Sequence, residues 1–186
     1  MDASALPMRE TYRDAIRCEQ LRAEVFKGHK SPMLFGEPEA WIAQLIESLI
    51  RAGRGEAQAA GQLRAEAFDA APASAGSLND QRFEWIADAD MRLGPLLEAV
   101  VNGRYYWIPF ARLSTVTVEE PTDLRDSVWL PATLTFVNGG EAIALLPVRY
   151  PGSESSADGL VALARKTLWD EVAPGVHIGL GQRVLA

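Results

Sequence analysis

The chain changes its hydrophobic rhythm once, near residue 80. Up to residue 72 apolar residues recur every three or four positions, as on one face of an α-helix; beyond residue 80 they alternate or cluster in short blocks between turns, as in strands. Residues 11–27 hold no proline or glycine and meet Gly28 and then Pro32, a helix stop followed by a breaker. On a helical wheel Tyr12, Ala15, Ile16, Ala23 and Phe26 share one side, and Cys18, Leu21 and Val25 fall on a second. Two stripes predict a helix lying between layers, with the second stripe left open for something packed on its N-terminal side. Residues 31–38 (S-P-M-L-F-G-E-P) read as a connection carrying an apolar plug, Met33-Leu34-Phe35. Glu37 and Glu39 open the next helix, where negative charge complements the helix dipole, and Trp41, Ile42, Leu45, Ile46, Leu49 and Ile50 give it a broad apolar face up to Gly53. Residues 55–71 form a third helix with Ala57, Ala60, Gly61, Ala67, Phe68 and Ala71 on one side, small residues that let helices approach closely. Helix, short loop, helix is the grammar of a superhelical repeat.

Residues 72–80 (P-A-S-A-G-S-L-N-D) mark the boundary. The organisation predicted is a helical region over 1–72, a linker over 73–80 and an α+β domain over 81–186. Within the last, residues 82–87 alternate as a strand, and 96–101 and 104–108 are β-prone runs joined by Asn102-Gly103, a dipeptide suited to a two-residue hairpin turn. Residues 114–119 form another strand, 122–126 an acidic turn with Thr122 as N-cap, and 129–137 and 141–148 a second hairpin across Asn138-Gly139-Gly140. A brief helix over 159–165 and strands over 166–171 and 177–185 complete the chain. The fold class is therefore α+β: a helical region followed by a small, strongly curved antiparallel sheet or open barrel with short helices.

Composition narrows the functional classes. The formal charge is −7, which argues against nucleic acid or an anionic membrane surface as partner. A single cysteine, Cys18, allows no intrachain disulfide and no cysteine-based metal cluster. Residues 1–10 carry Asp2 and Glu10 without an apolar signal core, and no apolar run is long enough to insert in a membrane, so a cytoplasmic location is expected.

The candidate chemistry centres on residues 83–110. Asp88 and Asp90, two apart on a strand, would share a side and could bind a divalent cation or share a proton. The plainer reading is a structural charge clamp in which Glu84, Asp88 and Asp90 pair with Arg92, Arg104 or Arg125 or cap backbone amides near a turn, with Asp123, Arg125 and Asp126 as a second such group, because charged side chains are buried when paired. His29 and His177 lack a Ser or Cys in a nucleophile-elbow context. Gly179 and Gly181 (H-I-G-L-G-Q-R) lack the third glycine or Gly-Lys-Ser/Thr of a phosphate loop, and backbone bends explain them better. No catalytic residue, metal or cofactor is assigned. Tyr105, Tyr106 and Trp107 alternate across a strand, which places one or two in the core and leaves the other half-exposed as a binding anchor.

The run F-E-W-I-A-D-A-D-M-R-L-G-P-L-L-E-A-V-V-N-G-R-Y-Y-W-I-P-F, followed by E-P-T-D-L-R-D-S-V-W-L-P-A, N-G-G-E, R-Y-P-G-S-E and G-L-G-Q-R, resembles the ImpE/TagJ (SciE) family of type VI secretion accessory proteins. R-A-E-V-F-K-G and F-G-E-P-E-A-W extend the resemblance over nearly the whole chain. It implies a cytoplasmic, non-enzymatic accessory factor with a tetratricopeptide-like helical half and an α+β half; some members of the family are associated with the small sheath subunit, TssB, and so indirectly with the ClpV unfoldase. Family members carry further helices before the position of Thr11, and the open second stripe agrees with their loss here. The stripe would then be covered by another copy or by residues 1–9. The predicted mode is a sheath-subunit helix docking in an apolar groove, with Leu21, Val25, Met33, Leu34, Phe35 and Trp41 as contact residues. Two other readings stand beside it: a small-ligand binder or metal-dependent enzyme built on Glu84, Asp88, Asp90 and Arg92, and a structural homodimer formed through the open helix face.

Overall fold

The structure, a computed structural model, describes residues 5–186, with side chains from Arg9 onward. Three helices come first, α1 (Ala5–Phe26), α2 (Ala40–Gly53) and α3 (Ala57–Ala70), with the two-residue strand β1 (Met33–Leu34) between the first two. The chain turns out of α1 at Gly28, whose φ is +75°, and a Cβ there would sit 2.5 Å from the Leu49 carbonyl oxygen. Glycine is thus needed both for the left-handed turn and for the approach of α2. α2 and α3 are joined through residues 54–56, and the Ser48 hydroxyl of α2 donates to the Ala60 carbonyl at 2.8 Å, a contact that a small residue on α3 permits.

The strands that follow are β2 (Gly76–Leu78), β3 (Gln81–Phe83), β4 (Leu96–Val101), β5 (Arg104–Pro109), β6 (Leu113–Val118), β7 (Trp129–Phe136) and β8 (Glu141–Pro147); after the short helix α4 (Gly159–Ala162) come β9 (Thr167–Ala173) and β10 (Val176–Gly181). The main sheet has six strands in the order β1-β5-β4-β8-β7-β6, while β9–β10 and β2–β3 are separate hairpins. The sheet is mixed and open rather than antiparallel or barrel-closed, because β1 pairs with β5 in parallel while the other neighbours are antiparallel. Met33-Leu34, expected as a plug in a connection, forms that parallel edge strand. The β4–β5 hairpin matches its expectation: Asn102 and Gly103 take φ of +48° and +70°, the left-handed pair that a two-residue turn requires.

Both faces of the central strands are covered, which is why β4 reads as an unbroken apolar block rather than an alternation. Leu96, Val100, Tyr105, Trp107 and Leu145 pack against Ala15, Cys18, Val25, Trp41, Ile42, Leu45 and Ala67 of the helices. Leu97, Ala99, Val101 and Ile108 line the opposite, inward-curled face with Ala132, Leu134, Phe136 and Ala144. Helices and sheet therefore share one core across the boundary at residues 73–80.

Two expectations are corrected. The second stripe of α1 is not open: Cys18 and Val25 are buried and Leu21 is half-buried against the shared core, with the Cys18 thiol donating to the Gly103 carbonyl at 3.4 Å. The residue that separates the two stripes on the wheel is Arg22, itself 2% exposed. Counting it as polar splits one wide buried face in two, and the outward-facing apolar residue is Ile16. The stripe accordingly offers no face to another copy. α1 already runs through Ala5–Phe26, and the remainder of the segment named as an alternative cover, residues 1–4, lies outside the described residues. The second correction concerns residues 82–87. Left-handed Asn79 and Asp80, at φ of +48° and +67°, turn the chain earlier, so β2 arises inside the expected linker and pairs with β3, and residues 84–87 are not strand.

Candidate functional site

The run L-L-E-A-V-V of β4 places Glu98 on the sheet face that meets the helices, where it is fully buried. A carboxylate there is stable only if its lone pairs are all used. Arg22 of α1 donates Nε to Oε1 at 2.7 Å and Nη2 to Oε2 at 2.8 Å. The Tyr105 hydroxyl donates to Oε1 and Arg183 Nη2 to Oε2. Trp107 Nε1 donates in turn to the Tyr105 hydroxyl at 2.7 Å, and Arg22 Nη2 also reaches the Arg149 carbonyl at 2.9 Å.

Arg183 links this hub to a second acid, its Nε lying 3.2 Å from Asp88 Oδ2. Asp88 Oδ1 accepts from the Asp90 amide at 2.9 Å and the Tyr150 hydroxyl at 3.0 Å, and that hydroxyl accepts from the Val184 amide at 3.0 Å. Asp90 holds Arg92, with Arg92 Nε donating to Oδ1 at 2.9 Å, and accepts the Gly179 amide at 2.8 Å. Ala87 and Ala186 exchange amide bonds of 3.0 and 2.8 Å, so the last residues run as a strap along residues 87–89. Burial sets the electrostatics: it raises the Asp88 carboxyl although Arg183 pulls the other way, and it lowers Arg183 to about 10 although Asp88 pulls it up. For this pair the loss of water outweighs the partner's charge. Burial likewise raises Tyr105 and Tyr150.

The arrangement is a brace joining α1, β4, the terminal strap and the β9–β10 hairpin. The glycines of G-L-G belong to it. A Cβ on Gly179 would fall 2.2 Å from the Tyr150 ring, and Gly181, at φ +94°, donates its amide to Ser153 Oγ at 2.7 Å.

The expected clamp separates into three parts. Asp88, Asp90 and Arg92 are in the brace. Asp123 and Arg125 form an exposed pair, with the Arg125 guanidinium 4.6 Å from the Tyr12 ring centroid, while buried Asp126 accepts the amides of Thr122 and Asp123. Glu84 and Arg104 are exposed and make no ion pair among the described residues, because the shortened β3 turns Glu84 out and Arg104 lies beside a solvent-facing turn. Arg22, Glu98, Tyr105, Tyr150 and Arg183 were not anticipated as members. The signal for Glu98 was a lone acid inside an apolar block, which demands a buried cation from elsewhere.

Of the expected contact residues, Val25 and Trp41 are core, with Trp41 Nε1 bonded to Glu39 at 2.9 Å, and they present no surface. Leu21, Leu34 and Phe35 are half-buried, Phe35 stacking on Phe136 at 4.2 Å, and Met33 is exposed. His29 is an exposed partner of Glu24 at 3.0 Å, and His177 donates its amide to Met91 Sδ at 3.3 Å. Burial pushes the Cys18 thiol up to about 11, away from nucleophilic use at neutral pH. Among the described residues no group of three His, Cys, Asp or Glu side chains could hold a metal ion, and no helix is long and apolar enough to cross a membrane.

A cleft of about 350 Å³ opens between the end of α3 and the central motif, walled by Phe68, Trp85, Ile86 and Met91 with Ser74 and Asp88 in its lining. Glu84, Asp90 and Arg92 do not reach it. A broader hollow of about 710 Å³ lies beside the β2–β3 hairpin, between Ala75, Gly76, Arg82, Phe83 and Glu84. That hairpin pairs only with itself, so the smaller cleft, set on helix and core, is the better formed of the two.

Comparison with known proteins gives three likenesses. The ImpE protein family model matches residues 80–186. The type VI secretion system accessory component TagJ of Pseudomonas aeruginosa is 53% identical over 169 residues, covering 91% of this chain and 60% of that protein, so the chain spans less than two thirds of that relative. An X-ray crystal structure of a protein from Vibrio parahaemolyticus superposes with a TM-score of 0.88 at 24% identity, covering 98% of this chain and 68% of that one, which establishes the fold alone.

Proposed function

Because the chain belongs to the ImpE family, we propose that it is an accessory component of a type VI secretion system, a cytoplasmic binding protein rather than an enzyme. The observation that carries this is its 53% identity to a relative bearing that description. The brace supports it. Glu98 and Arg22 bond one another, and Asp90 spends its oxygens on Arg92 and the Gly179 amide, as a scaffold does, whereas a general acid or base would need a free edge facing substrate. The enzyme reading requires Glu84, Asp88, Asp90 and Arg92 to converge, and of these Asp88 alone borders the cleft.

The partner in this reading is the small sheath subunit, TssB, which presents an amphipathic helix to an apolar groove by the helix-in-groove mode. Through that subunit the protein is linked to the ClpV unfoldase that recycles the contracted sheath. Titration of a fluorescently labelled peptide of the sheath subunit's N-terminal helix into the full chain tests it. A saturable anisotropy rise with Kd below about 100 μM, roughly 5 kcal/mol of binding, is the expected result. A flat trace at that concentration overturns the partner assignment.

A further inference from the structure

The two edges of the main sheet differ. β1 closes one side with two residues, too short to template another strand, whereas β6 closes the other with six. Sheet edges are commonly blunted by charge, proline or brevity, yet residues 114–118 read S-T-V-T-V and are all exposed. A bulge is confined to the start of the strand, between Leu113 and Thr115, and the rest pairs regularly with β7. The Glu119 amide donates to the Pro131 carbonyl at 3.1 Å, and Thr117 lies opposite Thr133, so these alternate positions turn their backbone groups to β7. Val116 and Val118 therefore turn their N–H and C=O groups to the open side, where no strand lies among the described residues. Their side chains, opposite Leu134 and Ala132, sit on the inward-curled face but are 39% and 51% exposed, because that face stops at β6.

From these observations we propose that β6 pairs antiparallel with β6 of a second copy of the chain about a two-fold axis, joining two main sheets into one. The strand is its own complement. With Thr117 on the axis, Val116 of each copy lies opposite Val118 of the other, and the open N–H and C=O groups of both valines bond across the interface. A shift by one residue would set those groups against ones already turned to β7. The valines then meet β-branched neighbours on the inner face, and Thr117 meets its own copy on the outer one, cross-strand pairs of kinds that stabilise sheets. Charge agrees with this direction. Glu119 and Glu120, which follow the strand, are carried toward the end where the other copy has Arg112, and the acids of the two copies stay apart. Residues 113–118 carry no charge that would select a different strand. The contact is one strand wide, and small interfaces are weak, so the dimer forms as concentration rises. The inference is independent of the sheath-subunit reading.

Sedimentation equilibrium of the full chain from about 1 to 500 μM, a span that covers weak specific association, tests it. The mass should rise from one chain toward two. Val116→Pro removes an N–H that faces the open side and leaves the bonds to β7 in place, an edge position where proline is tolerated. It should raise the dissociation constant about 10-fold or more, since a backbone bond is lost in both halves of the interface, while the control Val172→Lys on exposed β9 behaves as the wild type. If circular dichroism shows that Val116→Pro does not fold, Val116→Lys with Val118→Lys, which keeps every backbone group, is judged by the same criterion. Amide exchange of the ¹⁵N-labelled wild type identifies the strand: with rising concentration it should slow more at Val116 and Val118 than at Thr117 and Glu119. A monomer throughout the range, a dimer that the β6 variant leaves intact, or equal slowing at all four amides overturns the inference.

Discussion

Replacing Glu98 by alanine tests the brace directly. The side chain is fully buried and accepts from Arg22, Arg183 and the Tyr105 hydroxyl. Its removal leaves two guanidiniums in the interior with incomplete compensation: Arg22 keeps the Arg149 carbonyl at 2.9 Å and Glu19 at 3.3 Å, and Arg183 keeps Asp88 at 3.2 Å. Breaking a buried ion pair by deleting one partner costs about 3–5 kcal/mol, and the surviving contacts place this case toward the lower figure. That is a large share of the roughly 5–15 kcal/mol holding a typical domain together. For a chain of this size the lower figure corresponds to a fall in Tm of roughly 6–12 °C. Urea unfolding followed by tryptophan emission and by circular dichroism should show a lower midpoint with an unchanged slope. A cycle with Arg22→Ala should show strong non-additivity, since the second removal abolishes a charge that the first has stranded. A loss below about 1 kcal/mol in Glu98→Ala, far short of a broken buried pair, would refute the view that these charges hold the layers together.

Three further outcomes follow from the packing. Gly179→Ala puts a methyl 2.2 Å from the Tyr150 ring and should destabilise by about 1–3 kcal/mol through overpacking, read as a lower urea midpoint. Gly103→Ala strains a φ of +70° and sets a Cβ 2.8 Å from Asp14 Oδ2, so its thermal midpoint should fall while Gly159→Ala, with open space around it, leaves the midpoint nearly unchanged. The Cys18 thiol, raised from 9.0 to about 11, ionises in the unfolded chain before the folded one. Stability should therefore decline as pH rises between those values, a slope that Cys18→Ala removes, and thiol reagents at neutral pH should label Cys18 only as fast as the core opens.

Local signals carried much of the fold. α2, the Asn102-Gly103 hairpin and the β7–β8 hairpin were legible because one periodicity or one turn dipeptide determines each. The parallel pairing of Met33-Leu34 with Tyr106-Trp107 was not, since a two-residue strand has no period and its partner lies far along the chain. The brace was half legible. Asp88, Asp90 and Arg92 announce themselves by proximity in sequence, whereas Arg22 and Arg183 are ordinary surface-type residues until Glu98 claims them. The apparent double stripe of α1 arose from the same blindness: a buried arginine counts as polar in any wheel. The cleft, formed by residues from α3, the boundary segment and the central motif, has no sequence signature at all.

The strap of residues 184–186 and the placing of Arg183 also set an order of events during synthesis. Arg22 and Glu98 leave the ribosome well before Arg183, which follows Glu98 by 85 residues. Until then the nascent chain can dock its first helix on the β4–β5 hairpin with a single guanidinium on the carboxylate, and residues 87–89 have no strand to pair with. Completion waits for residues 183–186, so the helical half emerges before the residues that lock it, as expected where distant pairings decide the final state.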